Sequence, residues 1–210
     1  MLIFQFSEVF VCVSLIGGAL TGIICVAQSD LKSLIAYSSI GHIGVLSAGL
    51  LSINYYGLIG AVIMIVAHGL CSSGIFFISN TFYQNRKSRS VLINKGVLHF
   101  FPFMVMFSFL IFSCNMSAPP SINLAGELIL SMGILSFRYV RAVPIGLITF
   151  LSGVYSIYLY VLASHGIRIK SFGSWKEVKD YDLLTLLLHF FPIWVLIINI
   201  KVFVCLSSLK

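Results

Sequence analysis

The chain has very little charge for its length. Charged residues make up 9% of the 210 residues, and apolar residues make up 59%. A soluble domain usually carries about 25% charged residues. A single soluble core of this size could not cover so much apolar surface, so the composition excludes a soluble enzyme and indicates an integral membrane protein.

The sequence also lacks the patterns of a metal or cofactor site. Its five cysteines form no Cys-x-x-Cys pair, and none stands beside a histidine at ligand spacing. We therefore predict no iron–sulfur, haem or zinc site in this chain. The first apolar run has no basic segment before it and contains Glu8 near its start, so we expect no cleavable signal. The net charge of +7 comes from basic residues in short loops between apolar runs, and it does not indicate nucleic-acid binding.

The apolar runs predict an all-α membrane protein with about six transmembrane helices, one of them discontinuous. Only helices pair every backbone polar group of an open chain in lipid. The predicted spans are Ile3–Ala27, Leu31–Ile53, Tyr56–Ser79, Val97–Phe137, Val143–Ala163 and Leu183–Leu206. The fourth run is too long for one crossing, which needs about 20 residues. Pro119 and Pro120 interrupt it, and we expect an irregular segment near Ser117–Asn123.

The distribution of basic residues predicts the orientation. An even number of crossings puts both termini at one face. Most basic residues are expected at the opposite face, and they are Lys32, Arg86, Lys87, Arg89, Lys95, Arg168, Lys170, Lys176 and Lys179. A smaller set is expected near the termini, and it comprises Arg138, Arg141, Lys201 and Lys210. The positive-inside rule then places the termini in the periplasm or the intermembrane space. Residues 165–182 mix cations with apolar residues, which favours an interfacial loop over a solvated one.

Three ionisable residues fall deep inside apolar spans. They are His42, His68 and Glu127, on three consecutive spans. Ionisable groups at such depth are costly and often mark an ion or proton path. Each also has a structural explanation, since a buried histidine often only bonds a neighbour and a glutamate after a break can cap the resumed helix. Lys32, about 15 Å from His42 along the same helix, supplies a positive charge at the mouth of such a path or extends to the membrane edge.

Three motifs together resemble the antiporter-like membrane subunits of mitochondrial respiratory complex I. They are Gln28–His42, Ala61–Leu70 and Ala118–Glu127. The resemblance covers nearly the whole chain and is weakest after Ile167. The prolines followed by Gly126 and Glu127 favour the family member that has glutamate, rather than lysine, in its broken helix.

The resemblance implies both an architecture and a set of roles. Residues 1–164 are expected to form the second five-helix repeat, with its break near residues 117–123, and residues 183–210 the terminal transmembrane helix. By resemblance, the proton-path residues are Glu127, His42, His68 and Lys32. The implied function is a proton-translocating subunit in the mitochondrial inner membrane, driven by NADH:ubiquinone electron transfer. NADH, FMN, iron–sulfur clusters and ubiquinone are expected in other subunits, and none in this chain.

The family's chains are about twice as long, and their first half, with a further glutamate and lysines, has no counterpart here. Either the chain is a fragment, or a split gene encodes the rest as a separate partner chain. The expected partners are other membrane-arm subunits, including neighbouring antiporter-like subunits, and the lipid bilayer. Two other functions stay open at this point, namely a subunit of a multisubunit cation/proton antiporter and a non-pumping structural half of the membrane arm.

Overall fold

The computed structural model describes residues 2–97, 101–136, 138–165 and 180–201. These residues fold as seven α-helices, with a short 3-10 helix at Tyr139–Arg141. The helices are α1 (Leu2–Val26), α2 (Leu31–Leu51), α3 (Tyr55–Arg86), α4 (Pro102–Asn115), α5 (Ile122–Leu135), α6 (Ala142–Ser164) and α7 (Asp180–Ile198). Within the described ranges there is no strand, only an isolated bridge between Asp30 and Ser90.

The helix lengths confirm the predicted class of fold. Five helices, α1, α2, α3, α6 and α7, are long and apolar enough to cross a membrane. Helices α4 and α5 have 14 residues each, which is about 21 Å and too short for a crossing alone. Joined end to end across Met116–Ser121, they form the predicted discontinuous helix.

Most predicted boundaries differ from the structure by one or two residues, and a few differ by more. Helix α4 begins at Pro102 instead of Val97. Helix α3 continues to Arg86 instead of ending at Ser79, because its last turns are polar but still helical beyond the apolar layer. Its 32 residues extend about 48 Å, well beyond a hydrocarbon layer of about 30 Å. Helix α7 begins at Asp180 instead of Leu183 because two carboxylates favour its first turn, whereas the predicted end at Leu206 lies outside the described residues. Ile122 and Asn123 belong to α5 and not to the break.

Helix α2 occupies the centre of the bundle and contacts α1, α3, α5 and α6. Helix α1 lies outside it and also packs on α6, while α7 packs on α3 and α4. The loops at the start of α2 and after α3 are held together by two backbone hydrogen bonds, from Leu31 N to Arg89 O (2.9 Å) and from Val91 N to Ser29 O (3.0 Å). This arrangement surrounds the middle of α2 with other helices.

Helices α3 and α5 approach each other most closely at glycines. A Cβ added to Gly60 would lie 2.6 Å from the backbone nitrogen of Leu130, and one added to Gly133 would lie 2.5 Å from the nitrogen of Gly57. No real side chain fits such gaps. Without a hydrophobic driving force between helices in lipid, close backbone contact of this kind provides the van der Waals attraction that holds the two helices together. It also fixes the position of α5 relative to α2 and α3.

Candidate functional site

Side chains from three helices meet in the interior of the bundle. Nδ1 of His42, on α2, lies 3.1 Å from Oε1 of Glu127, on α5. The ring centroids of His42 and His68, on α3, are 4.8 Å apart, with planes inclined at 42°. The side chain of His42 is only 2% exposed and that of Glu127 11%. The three residues therefore form one largely buried cluster, in which His42 is enclosed and His68 and Glu127 are partly exposed.

A fourth residue, Tyr155 on α6, completes the surroundings of His42. Its hydroxyl oxygen lies 3.3 Å from Nε2 of His42, and the contact is buried. Both ring nitrogens of His42 consequently have a polar partner, one from α5 and one from α6. Because a neutral imidazole has one donor and one acceptor nitrogen, the two partners together decide where its proton sits.

The break between α4 and α5 places Glu127 in this cluster. A broken helix leaves backbone carbonyls without partners, and in lipid these must be satisfied inside the protein. The side-chain amide of Asn123 donates to the carbonyl of Cys114 at 2.8 Å, and Asn115 donates to Oγ of Ser156 at 3.1 Å. These two bonds tie the end of α4 to the start of α5 and to α6.

Glu127 does not cap α5. The N-cap of α5 is Ser121, whose hydroxyl oxygen accepts from Leu124 N at 3.3 Å. Glu127 follows more than one turn later, and its carboxylate contacts His42 instead. The structural explanation that the sequence left open for this glutamate, a helix cap, is therefore wrong.

A cavity of about 410 Å³ borders Glu127. It lies between the break, α5 and the first half of α6, and its polar wall includes Ser117, Ser131 and Thr149. The rest of its wall is apolar, with residues such as Val45 and Ile145. A cavity of this size with several polar groups has room for water molecules bonded to the wall. Among the described residues that line it, Glu127 is the one that can ionise.

His68 differs from His42 in its bonding. Within the described part of the chain neither ring nitrogen of His68 has a hydrogen-bond partner, although both nitrogens are shielded from the surface. The two nitrogens of His42 are directed at Glu127 and Tyr155. The histidines are therefore in ring contact, but in this arrangement no direct hydrogen bond joins them.

Lys32 is not part of the cluster. It lies in the first turn of α2, where its backbone N–H donates to Asp30 Oδ1 at 2.9 Å. Its ammonium group lies 5.6 Å from the ring centroid of Tyr83, and the guanidinium of Arg89 lies at the same distance from that ring. Of the four predicted path residues, the structure thus brings together His42, His68 and Glu127 and leaves Lys32 at the helix end.

Sequence reasoning missed Tyr155. A tyrosine in an apolar helix is common, and Tyr158 and Tyr160 on the same helix look equivalent in sequence. The signal that could have found it is a polar stripe at helical spacing. Ser152, Tyr155 and Ser156 are all buried on α6, whereas Tyr158 is exposed.

Fold and site together define a multi-pass α-helical membrane protein with a buried carboxylate on its broken helix. Residues 2–154 match the family described as NADH:quinone oxidoreductase/Mrp antiporter, transmembrane region. The chain belongs to this family, as the sequence motifs predicted.

Curated relatives agree with this assignment. The NADH-ubiquinone oxidoreductase chain 4 of Anopheles arabiensis is 41% identical over 200 residues, covering 94% of this chain and 90% of the relative. The protein of the same name from Ceratitis capitata is 42% identical over 200 residues. This chain spans only 44% of the length of the Ceratitis protein, so it corresponds to less than half of that relative.

Two solved assemblies share the fold. A chain of respiratory complex I from Thermus thermophilus with bound NADH superposes with a TM-score of 0.78 at 19% identity, covering 92% of this chain and 43% of that one. A chain of the Mrp complex from a Dietzia species superposes with a TM-score of 0.83 at 13% identity, covering 97% and 46%. At these identities the likeness establishes the fold alone.

Proposed function

We propose that the chain is a proton-translocating membrane-arm subunit of NADH:ubiquinone oxidoreductase. The observation that supports this most strongly is the buried contact between His42 Nδ1 and Glu127 Oε1, with His68 against the same ring. Histidine and carboxyl side chains are the groups that proteins use most often to take up and release protons. Their contact inside lipid provides a step by which a proton passes between α2 and α5.

The cavity beside Glu127 gives that step room for water molecules next to the carboxyl group. Glu127 borders the cavity of about 410 Å³, so a proton on its carboxyl group can be released to or taken from water there. His68 extends the cluster on the other side, from α3. In the proposed sequence, electron transfer elsewhere in the complex changes the charge around the cluster, and the proton affinities of Glu127 and His42 change with it.

The same proposal includes location, partners and cofactors. The chain resides in the mitochondrial inner membrane, with its termini toward the intermembrane space, in contact with lipid and no nucleic acid. Other membrane-arm subunits flank it, and helices matching the remaining half of its relatives complete the path. Lys32 supplies a positive charge at the membrane edge of that path. The cysteine pattern favours no redox centre in this chain, so NADH, FMN, iron–sulfur clusters and ubiquinone belong to other subunits.

The domain division is likewise proposed: a repeat over residues 1–164, an interfacial loop over 165–182, and a terminal helix over 183–210. Residues 1, 98–100, 137, 166–179 and 202–210 of these units lie outside the described part of the chain.

The test is Glu127→Gln in the assembled complex. Glutamine keeps the size and hydrogen-bonding ability of the side chain but cannot exchange a proton at neutral pH. We expect the number of protons moved per electron in reconstituted vesicles to fall, together with coupled quinone reductase activity, while assembly is preserved. The matched control is Glu8→Gln, because Glu8 is a partly exposed carboxylate paired with Arg138 near the surface.

Wild-type stoichiometry and turnover in an intact Glu127→Gln complex would instead indicate the non-pumping structural half. The second candidate function is a cation/proton antiporter subunit, because the description of the family that matches residues 2–154 names Mrp antiporters as well. Purification separates the two assemblies, since a complex I subunit co-purifies with flavin and iron–sulfur proteins and an antiporter subunit does not.

A further inference from the structure

Tyr155 contacts His42 but has no role in the proton step between His42 and Glu127 proposed above. Its hydroxyl lies 3.3 Å from His42 Nε2, and the other ring nitrogen, Nδ1, faces Glu127. Tyr155 is 3% exposed, so it has been taken out of lipid contact and packed into the bundle. A buried phenol hydroxyl usually needs a hydrogen-bond partner, and His42 Nε2 provides one.

A phenol hydroxyl can donate or accept, and it changes role by rotating about its C–O bond. An Nε2 atom that carries a proton is a donor, and one that does not is an acceptor. The pairing of Tyr155 with His42 therefore survives a change in the protonation of Nε2. Few side chains have this property, and none of the apolar residues around the site has it.

We propose that Tyr155 is a positioning residue whose hydroxyl keeps His42 hydrogen-bonded at Nε2 in every protonation state of the His42–Glu127 pair. This inference rests on the proposed function and adds to it the residue that controls the histidine. It predicts that loss of the hydroxyl slows proton exchange through His42 and makes protonated Glu127 rarer.

Three arrangements follow, and protons balance in each. In the first, Glu127 is ionised, neutral His42 donates to it from Nδ1, and Tyr155 donates to Nε2. In the second, His42 has taken up one proton at Nε2 from outside these three residues and the Tyr155 hydroxyl has rotated to accept, so the imidazolium donates to Glu127 from Nδ1 and to the Tyr155 oxygen from Nε2. In the third, the Nδ1 proton has moved to Glu127, which donates it back as a hydrogen bond to Nδ1, while Nε2–H still donates to Tyr155.

Without the hydroxyl, the second and third arrangements leave a buried Nε2–H with no acceptor from α6. An unpaired buried donor is costly, most of all on a charged ring. Those arrangements would become rarer, and they are the ones through which a proton passes from Nε2 to Glu127. The first arrangement is destabilised less, because its Nδ1–H still donates to the ionised carboxylate of Glu127.

The experiment compares Tyr155→Phe with Tyr158→Phe in the assembled complex. Tyr158 lies on the same helix but is 40% exposed, so its variant controls for loss of a hydroxyl from α6. We expect Tyr155→Phe to slow coupled turnover by about tenfold, the order expected for one lost hydrogen bond to a charged group. Tyr158→Phe should match the wild type.

An infrared measurement separates this role from packing. The carboxyl band of Glu127 in turnover-induced difference spectra is identified as the band missing from Glu127→Gln. We expect Tyr155→Phe to lose at least about half of it, because protonated Glu127 requires Nε2–H to have an acceptor. Tyr155→Gln, whose amide can donate and accept, should retain the band. If the Tyr155→Phe complex does not assemble, the test uses Tyr155→Gln alone. A retained Glu127 band in that variant supports the positioning role of the hydroxyl, and a missing band contradicts it.

Two outcomes overturn the inference. One is a wild-type band and turnover in Tyr155→Phe, and the other is an equal loss of the band in the Phe and Gln variants, which would indicate ring packing. Both outcomes can be distinguished from failure of the proposed function. That function fails if Glu127→Gln pumps normally, whereas this inference alone fails if Glu127→Gln stops pumping and Tyr155→Phe does not change the band.

Discussion

His42 and His68, whose rings are in contact, differ in their hydrogen bonding. His42 has a polar partner at each ring nitrogen, and within the described chain His68 has none at either. A histidine with two partners holds other side chains in place, so its removal affects stability. A histidine with none adds little to stability, and an unpaired polar group of this kind calls for a functional explanation.

This difference predicts separate effects for two parallel substitutions. His68→Phe keeps an aromatic ring of similar size and breaks no hydrogen bond, so we expect its complex to assemble normally and to unfold within about 1 kcal/mol of the wild type. His42→Phe removes two bonds and leaves the Glu127 carboxylate without its partner, at a cost of about 1–3 kcal/mol for each unpaired group. Thermal stability and the amount of assembled complex measure both. Equal destabilisation by the two variants would contradict the prediction and would mean that His68 has a structural partner.

At this scale the sequence predicted positions better than contacts. The depth of His42 and His68 follows from counting residues along helices, since each residue adds about 1.5 Å. The bond between His42 and Glu127 does not follow from counting, because it depends on where α5 restarts after the break. The place of Tyr155 was easier to find, because Ser152 and Ser156 mark the same face of α6 as polar, but only the structure shows that Tyr155 is buried and Tyr158 exposed.

The broken helix is the element that makes the site possible. Prolines in an apolar run predict an interruption, because each lacks a backbone donor and clashes with the preceding turn. The sequence does not show how the interruption is stabilised. Asn123, which was expected inside the irregular segment, is helical, and its side-chain amide donates a hydrogen bond to the carbonyl of Cys114. Ser121 caps the new helix, and Glu127 is then free to face α2.

The packing of α5 on α3 predicts the effect of added methyl groups. The Cβ of Gly60→Ala would lie 2.6 Å from Leu130 N and 2.9 Å from Leu130 Cγ, so α5 must move away from α3. We expect a loss of about 1–3 kcal/mol, typical of overpacking, and weaker coupled activity as Glu127 shifts from His42. Gly69→Ala on the same helix meets nothing within 4 Å and should be neutral or slightly stabilising.

The midpoint of thermal inactivation of the assembled complex compares these two variants. Similar midpoints for Gly60→Ala and Gly69→Ala would show that the α3–α5 contact is looser than the structure has it. A lower midpoint for Gly60→Ala with unchanged proton stoichiometry would show that the contact supports the fold but does not set the position of Glu127.

For the whole molecule, the hydropathy of the sequence identified the membrane crossings, but it did not show which helices pack against each other. The outer faces of α1 and α6 expose large apolar residues such as Phe10, Ile16 and Phe150, which suits a lipid or partner surface. The polar end of α3 escaped prediction because hydropathy marks the hydrocarbon layer and a helix can continue beyond it. When α4 and α5 are counted as one crossing, successive crossings alternate in direction. The start of α2 and residues 87–97 are hydrogen-bonded together at one face, and Arg138 of the α5–α6 connection contacts Glu8 near the start of α1 at the other.

This alternation and the positive-inside rule together predict which face is which. Lys87 follows α3 at the basic face and is exposed, whereas Arg138 lies in the α5–α6 connection beside Glu8. The basic loop should face the matrix. We therefore expect a membrane-impermeant maleimide to label Lys87→Cys in inverted inner-membrane vesicles, and Arg138→Cys in mitoplasts with the outer membrane removed. The unsubstituted chain, whose Cys12 is exposed on α1, gives the background. If both sites are labelled from the same side, the alternation of the crossings is wrong, because that alternation comes from the fold. If each site is labelled from the side opposite to the expected one, only the orientation is wrong, because the choice of face comes from the distribution of charge.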